Sequence, residues 1–236
     1  IDHKKMIPDL NFLLVGNSRH HWAKYSQSQS KFFHTKKDQK VPENVDLDQL
    51  IWASVGELPN FFLKEENEIK TKDIKLINLP DYFGVDRALA CLAALNTIAN
   101  PLRKDLLIAD FGTILSITKV KSNGSIIGGQ LIPGFLTQLK SMEESTKNLK
   151  VPNKYDIPTK DFLLKTEEAI LKGIINSMTG VINSSFDPLK DILITCGGDS
   201  QFLLKSLKKQ KINIINAPNL VMEGMIIHHL SLKKSL

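Results

Sequence analysis

LLIADFGTILSITKV, residues 106–120, reads as an apolar strand ending on Asp110, a tight turn at Gly112 and a second strand from Leu115. Ser122-Asn123-Gly124 then supplies a hairpin turn of the Asn-Gly type, and Ser125 to Gly129 the next strand. The same grammar occurs earlier. NFLLVGNSRHHWAKY, residues 11–25, places a buried strand at Asn11 to Val15, a turn at Gly16-Asn17-Ser18 and a partner strand at His21 to Tyr25. Repetition of strand, glycine turn and strand implies two halves built alike with a cleft between them. The natural cut falls near residues 99–103, giving expected domains 1–101 and 102–236.

The remaining elements fit an α/β chain. Leu50 to Val55 and Asp191 to Thr195 read as short buried strands, and Ile74 to Leu79 as an alternating one. Helices are expected over residues 85–99, stopped by Asn100-Pro101, and over 135–149, 201–207 and 220–232. A further helix over 162–182 is interrupted by Gly173 and Gly180. Ile212 to Ile215 reads as a last strand. The stretch 26–48 is polar and lysine-rich with weak periodicity, and 31–40 reads as a loop or plain surface.

The formal net charge is +6, spread over scattered lysines with one loose cluster at Lys205, Lys208, Lys209 and Lys211. No zinc spacing, ribonucleoprotein motif or recognition helix accompanies it, so no nucleic-acid partner is expected. Cys91 and Cys196 form no metal spacing and no disulfide framework. The opening residues carry two lysines but no leader-like apolar run, and no apolar run is long enough to span a bilayer. A cytoplasmic location without membrane attachment is expected.

The turns point to phosphate chemistry. Glycine lets backbone N–H groups approach an anion, and an adjacent hydroxyl adds a donor. Gly16-Asn17-Ser18 and Gly112-Thr113 both offer this, and two such hairpins facing across a cleft would hold phosphates from both sides; an ordinary hairpin needs the same residues. The sequence has no Walker-type phosphate loop and no protein-kinase signature. Gly84-Val85-Asp86-Arg87 places an acid and a base at a helix start, where the carboxylate serves as proton acceptor or merely stabilises the helix terminus. Asp110, ending a buried strand, needs a partner or a cation.

The ordered set GNSR, GVDR, DFGT, GGQLIPG, TEEAILKG and CGGD, running from Leu13 to Asp199, resembles type III pantothenate kinases, the family that includes the Bvg accessory factor proteins. The tryptophan after GNSR resembles the cyanobacterial variant. The resemblance implies two ribonuclease-H-like domains of the actin-like ATPase, acetate and sugar kinase type. It also implies ATP-dependent phosphorylation of pantothenate by a homodimer, with Mg2+ and a monovalent cation, K+ or NH4+. It makes Asp86 the general base and gives pantothenate to Gly84, Val85, Asp86, Arg87 and Thr166. Gly16, Asn17, Ser18, Arg19, His20, Gly112 and Thr113 fall to ATP, and Asp110 to the monovalent cation. Gly128-Gly129 and Pro133-Gly134 shape the cleft.

Three positions depart from the family pattern. Leu14 stands where an aspartate usually begins the first loop, Thr118 where a second aspartate follows the Asp-x-Gly-Thr turn, and Ile77 where a substrate-facing tyrosine is common. A non-catalytic member of the fold, another small-molecule phosphotransferase and a basic nucleic-acid binder are the competing readings.

Overall fold

Strand-forming residues build two sheets in a computed structural model, which describes residues 9–43, 45–61, 63–152, 154–208 and 214–234. The first sheet contains β1 (Leu10–Val15), β2 (Arg19–Ser26), β3 (Gln29–Lys36) and β4 (Ile51–Ser54), in the order β3-β2-β1-β4. β1 pairs antiparallel with β2 and parallel with β4. The second contains β5 (Asp105–Phe111), β6 (Ile114–Val120), β7 (Ile126–Pro133), β8 (Asp191–Cys196) and β9 (Ile214–Asn216), in the order β7-β6-β5-β8-β9. β5 again pairs antiparallel with the next strand and parallel with β8. Both sheets therefore carry a three-strand antiparallel meander whose first strand accepts a parallel neighbour. This is the ribonuclease-H-like plan, and the chain has the α/β fold of actin-like ATPases and sugar kinases.

The helices are α1 (Val85–Thr97), α2 (Phe135–Glu144), α3 (Thr166–Ser185), α4 (Ser200–Lys208) and α5 (Leu220–Lys234). The chain divides into one compact unit of residues 1–98 with 219–236, and another of residues 99–218. A single cut at residue 101 would give α5 to the second half; by packing it lies with the first. α5 meets α1 where a Cβ on Gly224 would stand 2.2 Å from the Leu89 carbonyl oxygen, so only glycine lets the two helices approach this closely.

Each unit has its own core. Leu13, Val15, Trp22, Leu50 and Trp52 form a cluster in the first. In the second, Leu107, Ala109, Phe111, Leu115 and Ile117 pack with Ile170, Ile174, Ile175, Met178 and Ile182 of α3. Asp191, fully buried at its side chain, is paired with Lys119 at 2.8 Å and accepts the Asp187 N–H at 2.9 Å, as a buried carboxylate requires.

Several expectations change. Residues 29–36, read as polar surface, form β3: Phe33 stacks on Trp22, and Trp22 Nε1 donates to Thr35 Oγ1 at 2.9 Å. The turn before β3 uses Gln27 and Ser28 at φ 48° and 64°, left-handed without glycine, so it gave no sequence signal. Residues 74–79 are not a strand but follow a single 3-10 turn at Thr71–Asp73, with Ile74 buried and Ile77 exposed. Gly173 and Gly180 do not interrupt α3; both lie on its exposed side, where an added Cβ would meet nothing within 4 Å. α2 ends five residues earlier than expected. Ile212, Lys209 and Lys211 lie outside the described residues.

Gly224→Ala should lower stability by about 1–3 kcal/mol through overpacking against Leu89. Gly173→Ala should raise it by roughly 0.5–1 kcal/mol. Urea unfolding of both variants checks the pair.

Candidate active site

Each hairpin turn is pinned from behind by a glycine of a neighbouring segment. Gly16 N–H donates to Arg19 O at 3.0 Å, closing the first turn. A Cβ on Gly56, just after β4, would stand 2.5 Å from Gly16 O and 3.1 Å from Asn17 N. Ser54 Oγ donates to Gly56 O at 2.8 Å, and Gly56 N–H donates to Val15 O at 3.1 Å, fixing that contact. Asn17, Ser18 and Arg19 are left exposed on the turn.

His20 differs from the other residues expected at this turn. It is buried edge-on between Trp22 and Phe61, and burial followed by the Lys37 charge holds its imidazole below the usual range. Its neighbour His21 borders Gly16 instead. Strand parity decides this: successive β2 side chains point to opposite faces, a rule that the motif reading did not apply.

The second turn is held from two sides. Gly112 N–H donates to Ile114 O at 3.2 Å. Gly134, the N-cap of α2, donates its N–H to Thr113 O at 2.9 Å, and a Cβ there would lie 2.0 Å from Gly112 O. Thr137 Oγ1 also donates to Thr113 O, at 2.6 Å. Gly197, at φ 83° after β8, sits so close beneath the strand end that a Cβ would meet Asp110 Oδ1 and Phe111 O, each at 2.4 Å. Gly56 and Gly197 are equivalents: each follows the parallel neighbour of its hairpin's first strand. Thr113 is exposed and Asp110 half-buried.

The GVDR segment opens α1. Gly84 is its N-cap without a side-chain cap, and a Cβ there would lie 2.7 Å from Asp86 Oδ1, so glycine makes room for that carboxylate. Arg87 N–H donates to Asp86 Oδ1 at 2.8 Å. Burial nevertheless raises the Asp86 carboxyl above its ordinary range, against the pull of that hydrogen bond and the Arg87 charge. The Arg87 guanidinium lies 4.0 Å from the Phe83 ring centre, and Thr71 Oγ1 donates to Phe83 O at 2.7 Å. Thr71 thus fixes the approach to the segment, a role without any sequence signal. Val85 is buried, and Thr166 opens α3 on an exposed turn.

A family model for type III pantothenate kinase matches residues 58–187, more than half of the chain. The chain belongs to the type III pantothenate kinase family. It is 30% identical to the type III pantothenate kinase of Synechocystis sp., covering 97% of this chain and 93% of that protein. It is 27% identical to the Synechococcus elongatus enzyme of the same name, over 90% of this chain and 93% of that one. Among solved structures, a Campylobacter jejuni protein of the Baf family aligns with TM-score 0.66 at 20% identity, over 96% of this chain and all of that one. The activator of 2-hydroxyisocaproyl-CoA dehydratase from Clostridium difficile, solved with ADPNP, aligns with TM-score 0.52 at 8% identity, over 96% and 98%. These two show the shared fold.

Against this family background, Leu14 is buried on β1 opposite His21, and Thr118 is buried on β6 opposite Gly129. Gly128 and Gly129 leave a cavity of about 260 Å3 beside Lys119, Gln130 and Ser185. Among the described residues no helix is long and apolar enough to cross a membrane, and no three His, Cys, Asp or Glu side chains stand together as a metal cage. Cys91 and Cys196 are buried and are not joined in a disulfide.

Thr71→Val should leave the Phe83 carbonyl without this donor and cost about 1–3 kcal/mol, whereas Thr71→Ser should restore most of it. Thermal unfolding of the two variants reads the difference.

Proposed function

We propose that this chain transfers the γ-phosphate of ATP to the terminal hydroxyl of pantothenate, the entry step of coenzyme A biosynthesis. The observation that carries the reading is the GVDR segment at the start of α1, where a half-buried carboxylate is raised in pKa beside a guanidinium. Asp86 accepts the proton of the pantothenate hydroxyl as the oxygen attacks phosphorus. Its raised pKa makes it a better proton acceptor than an ordinary carboxylate. Arg87, steadied over Phe83, offers a forked donor pair to the pantothenate carboxylate, and Gly84 and Val85 line the same pocket.

The exposed Asn17, Ser18 and Arg19 with Gly16, and Gly112 with Thr113, are assigned to the ATP phosphates, with His20 supporting its strand from the core. Phosphoryl transfer needs positioned donors more than covalent chemistry, and backbone turns held by packed glycines supply fixed positions. A divalent ion such as Mg2+, carried on the nucleotide, neutralises charge on the transferred group when bound. Such an ion is held through one or two carboxylates plus substrate phosphates and does not require a protein cage. The buried, apolar Leu14 offers it no oxygen. Asp110, whose carboxylate oxygen lies with the Phe111 carbonyl around Gly197, is an oxygen-rich setting assigned to a monovalent cation, K+ or NH4+.

Thr166 is assigned to pantothenate, completed by a second copy of the chain. The fully exposed Phe162 and Leu164 just before it are apolar surface that a homodimer would cover. Two buried cysteines outside any disulfide suit a reducing cytoplasm.

Pantothenate-dependent ADP release, measured with ATP, magnesium and potassium, should fall by about 10²- to 10⁴-fold in Asp86→Asn with unchanged thermal unfolding. Near-normal turnover of that variant would remove Asp86 from the chemistry. Because the base works ionised and its pKa is raised, kcat/KM should decline as pH falls through a value above the usual aspartate range. A profile that is flat down to the ordinary aspartate pKa contradicts the assignment.

A further inference from the structure

The first turn is bordered by residues outside the motif. Arg19 and His21 share one face of β2, and β3 presents Lys36 opposite Arg19 and His34 opposite His21. The two imidazoles meet edge to face with ring centres 4.8 Å apart. His21 Nε2 lies 3.2 Å from where a Cβ on Gly16 would stand, so this ring abuts the turn. His21 is half-buried and His34 exposed.

The electrostatics of the pair have one sign. Burial pushes the His21 imidazole down to about 4, helped by the charges of His34, Arg19 and His20. Burial and then Arg19 also lower His34. The β1 residue opposite His21 is the uncharged Leu14. α5, which packs on both β1 and β2, carries Glu223, His228, His229 and Lys233. Paired imidazoles can ligate a transition metal. Here the neighbours that perturb the pair are basic, so the setting repels a cation and attracts an anion.

We propose that His21 and His34, with Arg19, form an anion clamp that grips a phosphate of the bound nucleotide beside the Gly16–Ser18 turn and takes up a proton as it does so. The inference rests on the reading of that turn as a phosphate site. In the empty site the imidazoles are neutral at pH 7. A phosphate next to the rings favours their charged form and raises both pKa values. Protons are then taken up on binding at any pH between the free and bound values. Nucleotide affinity is correspondingly highest at the acid end of that window and falls as pH rises through the bound-state pKa.

Calorimetry of ATP binding to the full chain, in buffers of different ionisation enthalpy, measures the proton uptake. The wild type should take up more protons per ATP at pH 6.5 than the His21→Gln/His34→Gln double variant. It should also bind roughly three- to tenfold more tightly at pH 6 than at pH 8, beyond any pH effect kept by that variant. Imidazole NMR of the wild type, which needs no substitution to fold, should show both rings moving to the charged form on adding ATP at pH 6.5. ATP that binds and is turned over without change at either ring, or equal proton uptake in the double variant, overturns the clamp and leaves the phosphate turn standing. Rings that respond to Zn2+ or Ni2+ but not to ATP also overturn it. Failure of ATP to bind the wild type would remove the phosphate turn, and the clamp with it.

Discussion

Close backbone approach at glycine is the constraint on which both hairpins depend. Gly56 lies against the Gly16-Asn17 peptide, and Gly197 against Asp110 and Phe111, with no room for a side chain at either place. Gly134 adds a third such contact on the Gly112-Thr113 turn. A turn whose carbonyls and Cα atoms are packed from behind cannot easily re-orient its N–H groups. Polar donors fixed before a ligand arrives stabilise charge without reorganisation. The fold thereby holds each of these strand connections in one backbone conformation, as the proposed phosphate contacts require.

Much of this was legible in the residues, for identifiable reasons. The paired strands of 11–25 and 106–120 stood out because buried runs are punctuated by glycine, and the observed registers follow those runs. α1 was legible through its apolar period, and β8 as the unbroken run before Cys196-Gly197. β3 was not, because its leading turn adopts left-handed geometry at Gln27 and Ser28, and its side chains are mostly exposed. The apparent strand at 74–79 shows the converse. Its apolar residues alternate, but local 3-10 geometry and the single buried anchor Ile74 decide its path. The place of α5 beside α1 could not be read, since it depends on what lies opposite Gly224.

The site divides in the same way. Asp86, Arg87 and the two turns stand out by residue type, so the sequence alone singles them out as candidates. What tunes them is three-dimensional. Thr71 holds the carbonyl before Gly84, Phe83 carries the Arg87 charge, and burial lifts Asp86. His20 and His21 are adjacent in sequence, yet one enters the aromatic core and the other borders the turn. One residue of offset along a strand reverses the face, and with it the role.

Membership in the type III pantothenate kinase family, a raised carboxylate at a helix start and glycine-backed turns converge on one reaction. The most direct test is the product itself, followed by 31P NMR after incubating the chain with ATP, magnesium, potassium and pantothenate. The account predicts a new phosphomonoester signal on the terminal hydroxyl of pantothenate, appearing in step with ADP. Well-folded protein that leaves pantothenate unphosphorylated, or that releases only inorganic phosphate from ATP, would contradict it.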